Sequence, residues 1–230
     1  MTERLYFNDS YCFEASPLVN EAEFDQEKSE WSLVLDKTIF HPPGGGQPSD
    51  EGQISSHGVL SLAVDKDLGT IKHKVACKDG ASFSPGDLVF LNVDEVVRRR
   101  HARLHSAGHL MDVAVRKMGL MFQSSKAYHY PDGSYVEYLG SVPVEERELM
   151  AKKIMSVANE TIQKTKDTDL VTSRIEQDGT RLVFLSSEDI GCPCGGTHVK
   201  HVKEIGHVTV TRLVEKKKFI RVCYSVTNLE

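Results

Sequence analysis

The chain has 230 residues, of which 40% are hydrophobic and 27% charged, a composition ordinary for a globular protein. This length suffices for one large domain or two smaller ones. No apolar run approaches membrane-spanning length and residues 1–10 do not resemble a secretory signal, which excludes the membrane and secreted classes. Five cysteines, an odd number, argue against a disulfide framework. We therefore expect a cytoplasmic protein with no membrane partner.

The net charge of −5 is unevenly distributed along the chain. Residues 1–95 carry 7 Lys and Arg against 17 Asp and Glu, a net charge of −10, whereas residues 96–230 carry 21 against 16, a net charge of +5. The second part can therefore present positive charge to phosphates. A solvated surface explains the same numbers, so the charge permits a nucleic-acid partner without requiring one.

Residues 1–94 are predicted to form a small β-barrel domain. Their strand-like runs are Trp31–Leu35, Val59–Val64 and Leu88–Val93. The turn-forming segments between and beside them are Pro42–Gly46, Asp65–Gly69 and Asp79–Gly86. Several short strands separated by Gly and Pro indicate a small barrel or sandwich.

Residues 95–230 are predicted to form an α+β domain. Apolar residues recur at helical spacing between Val96 and Met118, and Gly119 is a plausible residue to end that helix. A second helix is predicted from Val144 to Thr165, with an acidic first turn. The strand-like runs that follow are Leu170–Ile175, Leu182–Leu185, His207–Val214 and Phe219–Val226.

Three histidines lie at four-residue intervals on the first predicted helix: His101, His105 and His109. Residues four apart project from the same helical face, so two imidazoles can bind one cation. Eight residues of helix rise about 12 Å, so His101 and His109 cannot share an ion. The binding pair is either His101 with His105 or His105 with His109.

A second group of metal-binding residue types lies in the run 191–198, which reads GCPCGGTH. Cys194 and His198 are four positions apart in a glycine-rich turn, which can fold tightly enough to bring both to one metal. Cys192 adds another thiol, and the alternative of Cys192 as the ligand stays open. Imidazole and thiolate together favour zinc over magnesium or calcium.

Three motifs resemble those of a known family. The run 105–109, HSAGH, resembles the HxxxH motif of the alanyl-tRNA synthetase editing domain, and the run 194–199, CGGTHV, resembles its CGGTH element. The run 44–52, GGGQPSDEG, is similar to the glycine-rich motif of AlaX proteins, free-standing relatives of that domain, in the forms with an additional N-terminal domain. The motifs occur in the family's order and span most of the chain.

This resemblance implies a barrel-like domain over residues 1–94 and an editing domain of antiparallel sheet plus helices over residues 95–230. It implies one Zn²⁺ per chain, held by His105, His109, Cys194 and His198. The activity it implies is hydrolysis of tRNA(Ala) mischarged with serine or glycine. The oligomeric state is not predicted.

The resemblance also suggests substrate contacts. The family has a polar residue, often Gln, after the HxxxH helix; Gln123 matches it, and a one-residue gap would place Ser124 there instead. Gln123 and Thr197 are the candidate catalytic residues, since either can contact the serine hydroxyl. Argued from the residues themselves, the candidate tRNA contacts are the glycine run Gly44, Gly45 and Gly46 with Gln47, and the basic residues Arg99 and Arg103; a flexible hairpin tip and a solvated basic face are the alternatives. For Thr197, a turn hydroxyl bonded to backbone is the alternative.

An alternative function is a non-catalytic tRNA-binding protein with a structural zinc, because four protein ligands are typical of closed structural sites. A zinc peptidase is disfavoured, since HSAGH lacks the glutamate of the HExxH motif.

Overall fold

The computed structural model describes residues 1–77, 80 and 82–227. The predicted turn Asp79–Gly86 therefore falls partly outside the described residues. The chain forms two compact units, the first comprising residues 1–44 and 48–99 and the second residues 45–47 and 100–230. The segment 45–47 belongs to the second unit although it lies far from the rest of that unit in the sequence.

The first unit consists of β-strands and a single 3₁₀ turn at Leu5–Phe7 among its described residues. Its strands are β1 Glu3–Arg4, β2 Glu14–Ala15, β3 Val19–Asp25, β4 Glu30–Leu35, β5 Lys37–Thr38, β6 Gly52–Ile54, β7 His57–Asp65, β8 Thr70–Ala76 and β9 Leu91–Val93. β1 pairs with β5 in parallel, and the others form an antiparallel sheet of order β2-β9-β6-β7-β8-β4-β3. Successive residues of a strand face opposite sides of the sheet. Those on the inner side, such as Leu33, Ile54 and Leu91, are fully buried in the core of this unit.

Backbone hydrogen bonds join edge strand β3 to the segment that precedes β9. The N–H of Val19, in edge strand β3, donates to the carbonyl of Asp87 at 2.9 Å, and the N–H of Gly86 donates to the carbonyl of Val19 at 2.8 Å. Residues 86–88 lead into β9, the neighbour of the other edge strand. The sheet therefore curves round, and a fully closed barrel stays a prediction.

The second unit is α+β, as the sequence predicts. Its elements are α1 Glu95–Lys117, which begins in the first unit, then β10 Gln123–Tyr128, β11 Tyr135–Leu139, α2 Arg147–Lys164, β12 Thr172–Ile175, β13 Arg181–Phe184, β14 Cys192–Pro193, β15 Val208–Lys216 and β16 Phe219–Val226. Short 3₁₀ turns occupy Val144–Glu146 and Val202–Ile205. One antiparallel sheet has the order β10-β11-β16-β15 and a smaller one the order β12-β13-β14.

Both predicted helices are present, with shifted ends. Asp94 caps α1, because its carboxylate accepts from the N–H of Val97 at 3.0 Å. Gly119 ends it with a φ of +68°, the left-handed conformation that favours glycine. The predicted second helix starts as a 3₁₀ turn, so α2 itself begins at Arg147. Among the described residues, no helix combines the length and apolarity needed to cross a membrane.

The core of the second unit lies between the helices and the four-stranded sheet. Leu110 and Met111 of α1 are fully buried, as are Ile154 of α2 and Val222 of β16. Because every residue from 104 to 111 of α1 is buried, the side chains in this part of the helix are held in fixed positions. The histidines predicted to bind metal lie on this helix.

Candidate metal centre and adjacent cavity

The structure brings together four residues from two distant parts of the chain: His105, His109, Cys194 and His198. The ligand atoms that these residues offer all lie within 4.8 Å of one another. Sγ of Cys194 is 3.2 Å from Nε2 of His105 and 3.6 Å from Nε2 of His198. We call these four residues the His-Cys cluster. His101 is buried one turn earlier on α1 and is outside this cluster, so the histidine pair that converges with Cys194 is His105 and His109.

The loop that carries Cys194 and His198 passes very close to α1. A Cβ atom at Gly196 would lie 2.1 Å from Cε1 of His105, a distance that side chains do not tolerate. The loop is held from the other side by Arg181, whose Nη1 donates to the carbonyls of Cys194 and Gly196 at 3.1 and 2.9 Å. The glycine in this motif is therefore required for the loop to approach the helix.

Gln47, from the glycine-rich run, is fully buried beside the cluster. Its Oε1 accepts from the backbone N–H of Thr197 at 2.9 Å, and its Nε2 donates to Oγ1 of Thr197, also at 2.9 Å. These two bonds fix the orientation of the amide. Nδ1 of His105 lies 2.7 Å from the same Oε1 and must be the donor, because a carbonyl oxygen only accepts. Nε2 of His105 is thereby left without a proton, facing Cys194.

Burial shifts the pKa values of two residues of the cluster, His109 and Cys194. It lowers the pKa of His109 to about 4, with Arg181 and Arg116 adding to the effect and Asp189 opposing it. It raises the pKa of Cys194 to about 11, against the opposing Gly196 N–H and Arg181. Neutral imidazole is the form that binds a cation, and a bound divalent cation deprotonates a coordinating thiol. Three imidazoles and one thiol fit zinc in number and chemical type.

A cavity of about 180 Å³ opens beside the His-Cys cluster. His105, His109 and Cys194 form one part of its wall. The polar residues of the remaining wall are Asp112, Ser124, Lys126, His129 and Cys192. A small molecule in this cavity would touch the potential metal ligands directly.

His129 was not identified from the sequence. Its ring stacks on His105 with centroids 4.5 Å apart, and burial, with His109 nearby, lowers its pKa to about 3. Its Nδ1 lies 2.6 Å from the hydroxyl of Tyr224, which donates its own proton to the carbonyl of Leu104 at 2.9 Å. Nδ1 is therefore the donor and Nε2 is unprotonated. No spacing pattern relates His129 to the other histidines.

Asp112 and Cys192 form a second group with His109, whose ligand atoms also lie within 4.8 Å of one another. The hydroxyl of Tyr138 donates to Oδ1 of Asp112 at 2.8 Å. Burial raises the pKa of Asp112, opposed by Tyr138 and Arg116, and also raises the pKa of Cys192. Asp112 follows His109 by three residues on α1, so helical spacing alone would have pointed to it.

The two candidate catalytic residues lie elsewhere. Gln123 is exposed at the start of β10 and is not among the described residues lining the cavity, whereas Ser124, the alternative, is. Thr197 is fully buried and its hydroxyl accepts from Gln47 rather than from backbone. A direct role of Gln123 or Thr197 in contacting substrate therefore finds no support in this geometry.

The candidate tRNA contacts in the glycine-rich run differ in their exposure. Gly44 and Gly45 are exposed, Gly45 lines the cavity, and the carbonyl of Gly46 accepts from the N–H of His129 at 2.8 Å. The prediction that Gln47 touches tRNA finds no support, because both its polar atoms are engaged in the interior.

Arg99 and Arg103 are half-buried and engaged within the protein. Arg99 donates to Glu95 at 2.6 Å and lies over the ring of Tyr11 at 4.1 Å. Arg103 donates to the carbonyls of Ile205 and Thr227 at 3.1 and 2.6 Å. A phosphate would therefore have to compete with these existing contacts.

Comparison with known proteins finds similarity to alanyl-tRNA editing proteins and to alanine–tRNA ligases. Residues 180–221 match the family described as threonyl and alanyl tRNA synthetase second additional domain. The chain is 31% identical to the alanyl-tRNA editing protein AlaX-M of Pyrococcus horikoshii, over 90% of this chain and 89% of the relative. It is 32% identical to AlaX-M of Methanosarcina barkeri, over 97% and 98%. An alanine–tRNA ligase of Halobacterium salinarum is 29% identical over 91% of this chain but only 24% of its own length.

Identity at this level over nearly the full length of both proteins, together with the matched domain, decides the family. The chain belongs to the AlaX-M alanyl-tRNA editing protein family.

Proposed function

We propose that the protein is an aminoacyl-tRNA deacylase that removes serine or glycine from mischarged tRNA(Ala), using one Zn²⁺ held by the His-Cys cluster. The observation that carries this proposal is the convergence of His105, His109, Cys194 and His198 beside a cavity of about 180 Å³. Membership of a family whose relatives are named alanyl-tRNA editing proteins supports the choice of substrate.

The reaction is the hydrolysis of the ester between the amino acid and the terminal ribose. Water adds to the ester carbonyl, the bond from the carbonyl carbon to the ribose oxygen breaks, and that oxygen takes a proton. The products are a free amino acid and uncharged tRNA. Zinc bound at the cluster would supply a Lewis acid that polarises the carbonyl and lowers the pKa of water.

The protein's own residues prepare this site before substrate arrives. Gln47 fixes the tautomer of His105, so that its unprotonated Nε2 faces Cys194. His129 presents an unprotonated Nε2 from a ring that its contacts with Tyr224 and His105 hold in place.

The size of the cavity suits a small aminoacyl group. A synthetase pocket shaped for alanine admits glycine and rejects an added hydroxyl poorly, so a second hydrolytic site is needed to correct these errors. Ser124 and Cys192 on the cavity wall are candidates to contact the serine hydroxyl. Alanine would leave such a partner without its hydrogen bond.

The test is to incubate the protein with Ser-, Gly- and Ala-tRNA(Ala), with and without a chelator. We expect deacylation of the serine or glycine ester, little loss of alanine, and inhibition by the chelator. His109→Ala and Cys194→Ala should abolish both bound zinc and activity.

Matched controls are His101→Ala, which removes a buried histidine one turn from the cluster, and Cys192→Ser, which changes the neighbouring thiol. Both should retain zinc. Unchanged deacylation in His109→Ala and Cys194→Ala would refute the metal-site proposal. tRNA binding without deacylation of any ester would favour a non-catalytic tRNA-binding protein with a structural zinc.

A further inference from the structure

Asp112 is the only carboxylate among the described residues that line the cavity. Asp112 follows His109 by three residues on α1, so both project from the same face of the helix. The carboxylate of Asp112, a nitrogen of His109 and Sγ of Cys192 lie within 4.8 Å of one another. Because His109 belongs to the His-Cys cluster, Asp112 lies on the cavity wall next to that cluster. A ligand contacting the cluster would lie beside this carboxylate.

The Asp112 side chain is held in place by Tyr138, which is fully buried on β11 and donates its hydroxyl to Oδ1 at 2.8 Å. No ion pair of Asp112 occurs within the described part of the chain. The nearby cations have other partners: Arg116 pairs with Asp189 at 2.6 Å, and Lys126 lies 3.7 Å from Glu137. The cavity thus contains a partly buried carboxylate that forms no ion pair with the described residues, although the charge of Arg116 acts on it from a distance.

Every aminoacyl ester carries one α-ammonium group, two bonds from the carbonyl carbon that is attacked. We propose that Asp112 binds this α-ammonium group and so places the ester carbonyl against the His-Cys cluster. The inference rests on the proposed deacylase function and adds a recognition element to it. A carboxylate held in a low-dielectric wall pairs favourably with a ligand ammonium group.

This contact has a consequence for substrate choice. Serine and glycine both carry the ammonium group, so Asp112 does not distinguish between them. It distinguishes free aminoacyl esters from esters whose nitrogen is acylated, as in peptidyl-tRNA. The site would therefore hydrolyse aminoacyl esters in preference to peptidyl-tRNA.

The test compares two esters that differ only in this group: seryl-tRNA(Ala) and glyceroyl-tRNA(Ala), the ester of glyceric acid, in which an uncharged hydroxyl replaces the ammonium group. The wild-type protein should hydrolyse the seryl ester about 10- to 100-fold faster in kcat/KM, the usual range for a hydrogen bond to a charged group. In Asp112→Asn this preference should fall to near one, mainly through slower hydrolysis of the seryl ester. The control is Asp132→Asn, which removes another carboxylate that accepts from a tyrosine hydroxyl, Tyr128 at 3.2 Å, but does not line the cavity.

A binding measurement separates this inference from the proposed function. Titration calorimetry with 3′-deoxy-3′-(L-serylamino)adenosine, which cannot be hydrolysed as an ester, should give weaker binding to Asp112→Asn than to wild type. The glyceroyl counterpart, with a hydroxyl in place of the ammonium group, should bind both proteins alike. Zinc content should be the same in both.

Three outcomes would overturn the inference. One is equal hydrolysis of both esters by the wild-type protein. This result would refute the ammonium contact even if Asp112→Asn fails to fold. Another is a variant that keeps the full preference. The third is loss of metal from Asp112→Asn, which would make Asp112 a metal ligand. Failure of wild type to hydrolyse either ester would instead refute the deacylase function.

Discussion

Oε1 of Gln47 lies 2.7 Å from Nδ1 of His105, although the two residues are 58 positions apart in the chain. The same oxygen accepts from the backbone N–H of Thr197 in the loop that carries Cys194 and His198. One buried amide therefore orients a potential ligand on the helix and, through Thr197, the loop that carries two more, Cys194 and His198. This explains why a glutamine follows the glycine run of the motif.

Removing this acceptor should weaken metal binding. We expect Gln47→Leu to lower zinc affinity about 10- to 100-fold, the usual effect of losing a residue that orients a metal ligand. Gln47→Glu keeps an oxygen acceptor for His105 and should lose less. Competition with a chromogenic chelator measures the affinity, and the Co²⁺ absorption spectrum should shift in Gln47→Leu because His105 is no longer oriented.

Gln53→Leu is the control, because Gln53 is an exposed glutamine on β6. If Gln47→Leu bound zinc as tightly as wild type and gave the same Co²⁺ spectrum, Gln47 would have only a packing role.

Substitution of Gly196 should also disturb the cluster. The added methyl group of Gly196→Ala would lie 2.1 Å from Cε1 of His105 and 2.8 Å from Oε1 of Gln47, so the loop or the imidazole must move. We expect at least about a 10-fold loss of zinc affinity, because ligand geometry sets affinity. Gly133→Ala, where no heavy atom lies within 4 Å, should bind zinc normally. Equal affinities in both variants would contradict the close approach of loop and helix.

Acidification should destabilise the first unit through His73. This residue is fully exposed to water in the unfolded chain but fully buried in β8, and burial lowers its pKa from 6.5 to about 4. The unfolded state therefore binds the proton first as the pH falls, so stability is lost between about pH 6.5 and pH 4, by up to about 3 kcal/mol. Denaturant unfolding followed by the fluorescence of Trp31, the only tryptophan, measures this dependence.

The comparison variant is His73→Gln, which keeps a polar side chain beside Thr38 but does not titrate. Its unfolding free energy should vary less with pH across that window. A variant with the same pH dependence as wild type would assign the acid sensitivity to other groups.

The buried ion pair between Arg98 and Asp50 should be essential to the first unit. Both side chains are fully buried, and Arg98 also donates to the carbonyls of Ser10 and Ile39 at 2.8 and 2.5 Å. Asp50→Asn should destabilise the protein by about 3–5 kcal/mol, because it leaves a buried charge without its partner. Lys28→Ala, which breaks the exposed pair with Asp25, should change stability little. A small effect of Asp50→Asn on the Trp31 unfolding transition would contradict this.

The sequence predicts best what local spacing determines. Helix α1 and the placement of His105 and His109 on one face follow from helical periodicity, and the α+β character of residues 95–230 follows from the order of helical and strand-like runs. Periodicity left open which histidine pair lies near Cys194; among the described residues, the group that could hold an ion with Cys194 contains His105 and His109 but not His101. Zinc binding by this group stays a prediction.

Strands with unusual composition were missed. β10 Gln123–Tyr128 is polar and mostly exposed, so it shows no alternation of apolar and polar residues. β8 Thr70–Ala76 alternates buried and exposed positions, but His73 occupies a buried one. Contacts between residues distant in the sequence could not be predicted either, because no local pattern indicates that Gln47 is buried or that His129 stacks on His105.

The grouping of residues 45–47 with residues 100–230 bears on how this protein can be divided experimentally. A truncation at the sequence boundary near residue 94 would retain every potential zinc ligand yet discard Gln47, the hydrogen-bond acceptor of His105. Such a fragment should bind zinc more weakly than the intact chain even if it folds. We therefore expect residues 95–230 alone to be an incomplete zinc-binding unit, which any minimal version would have to complete by restoring that amide.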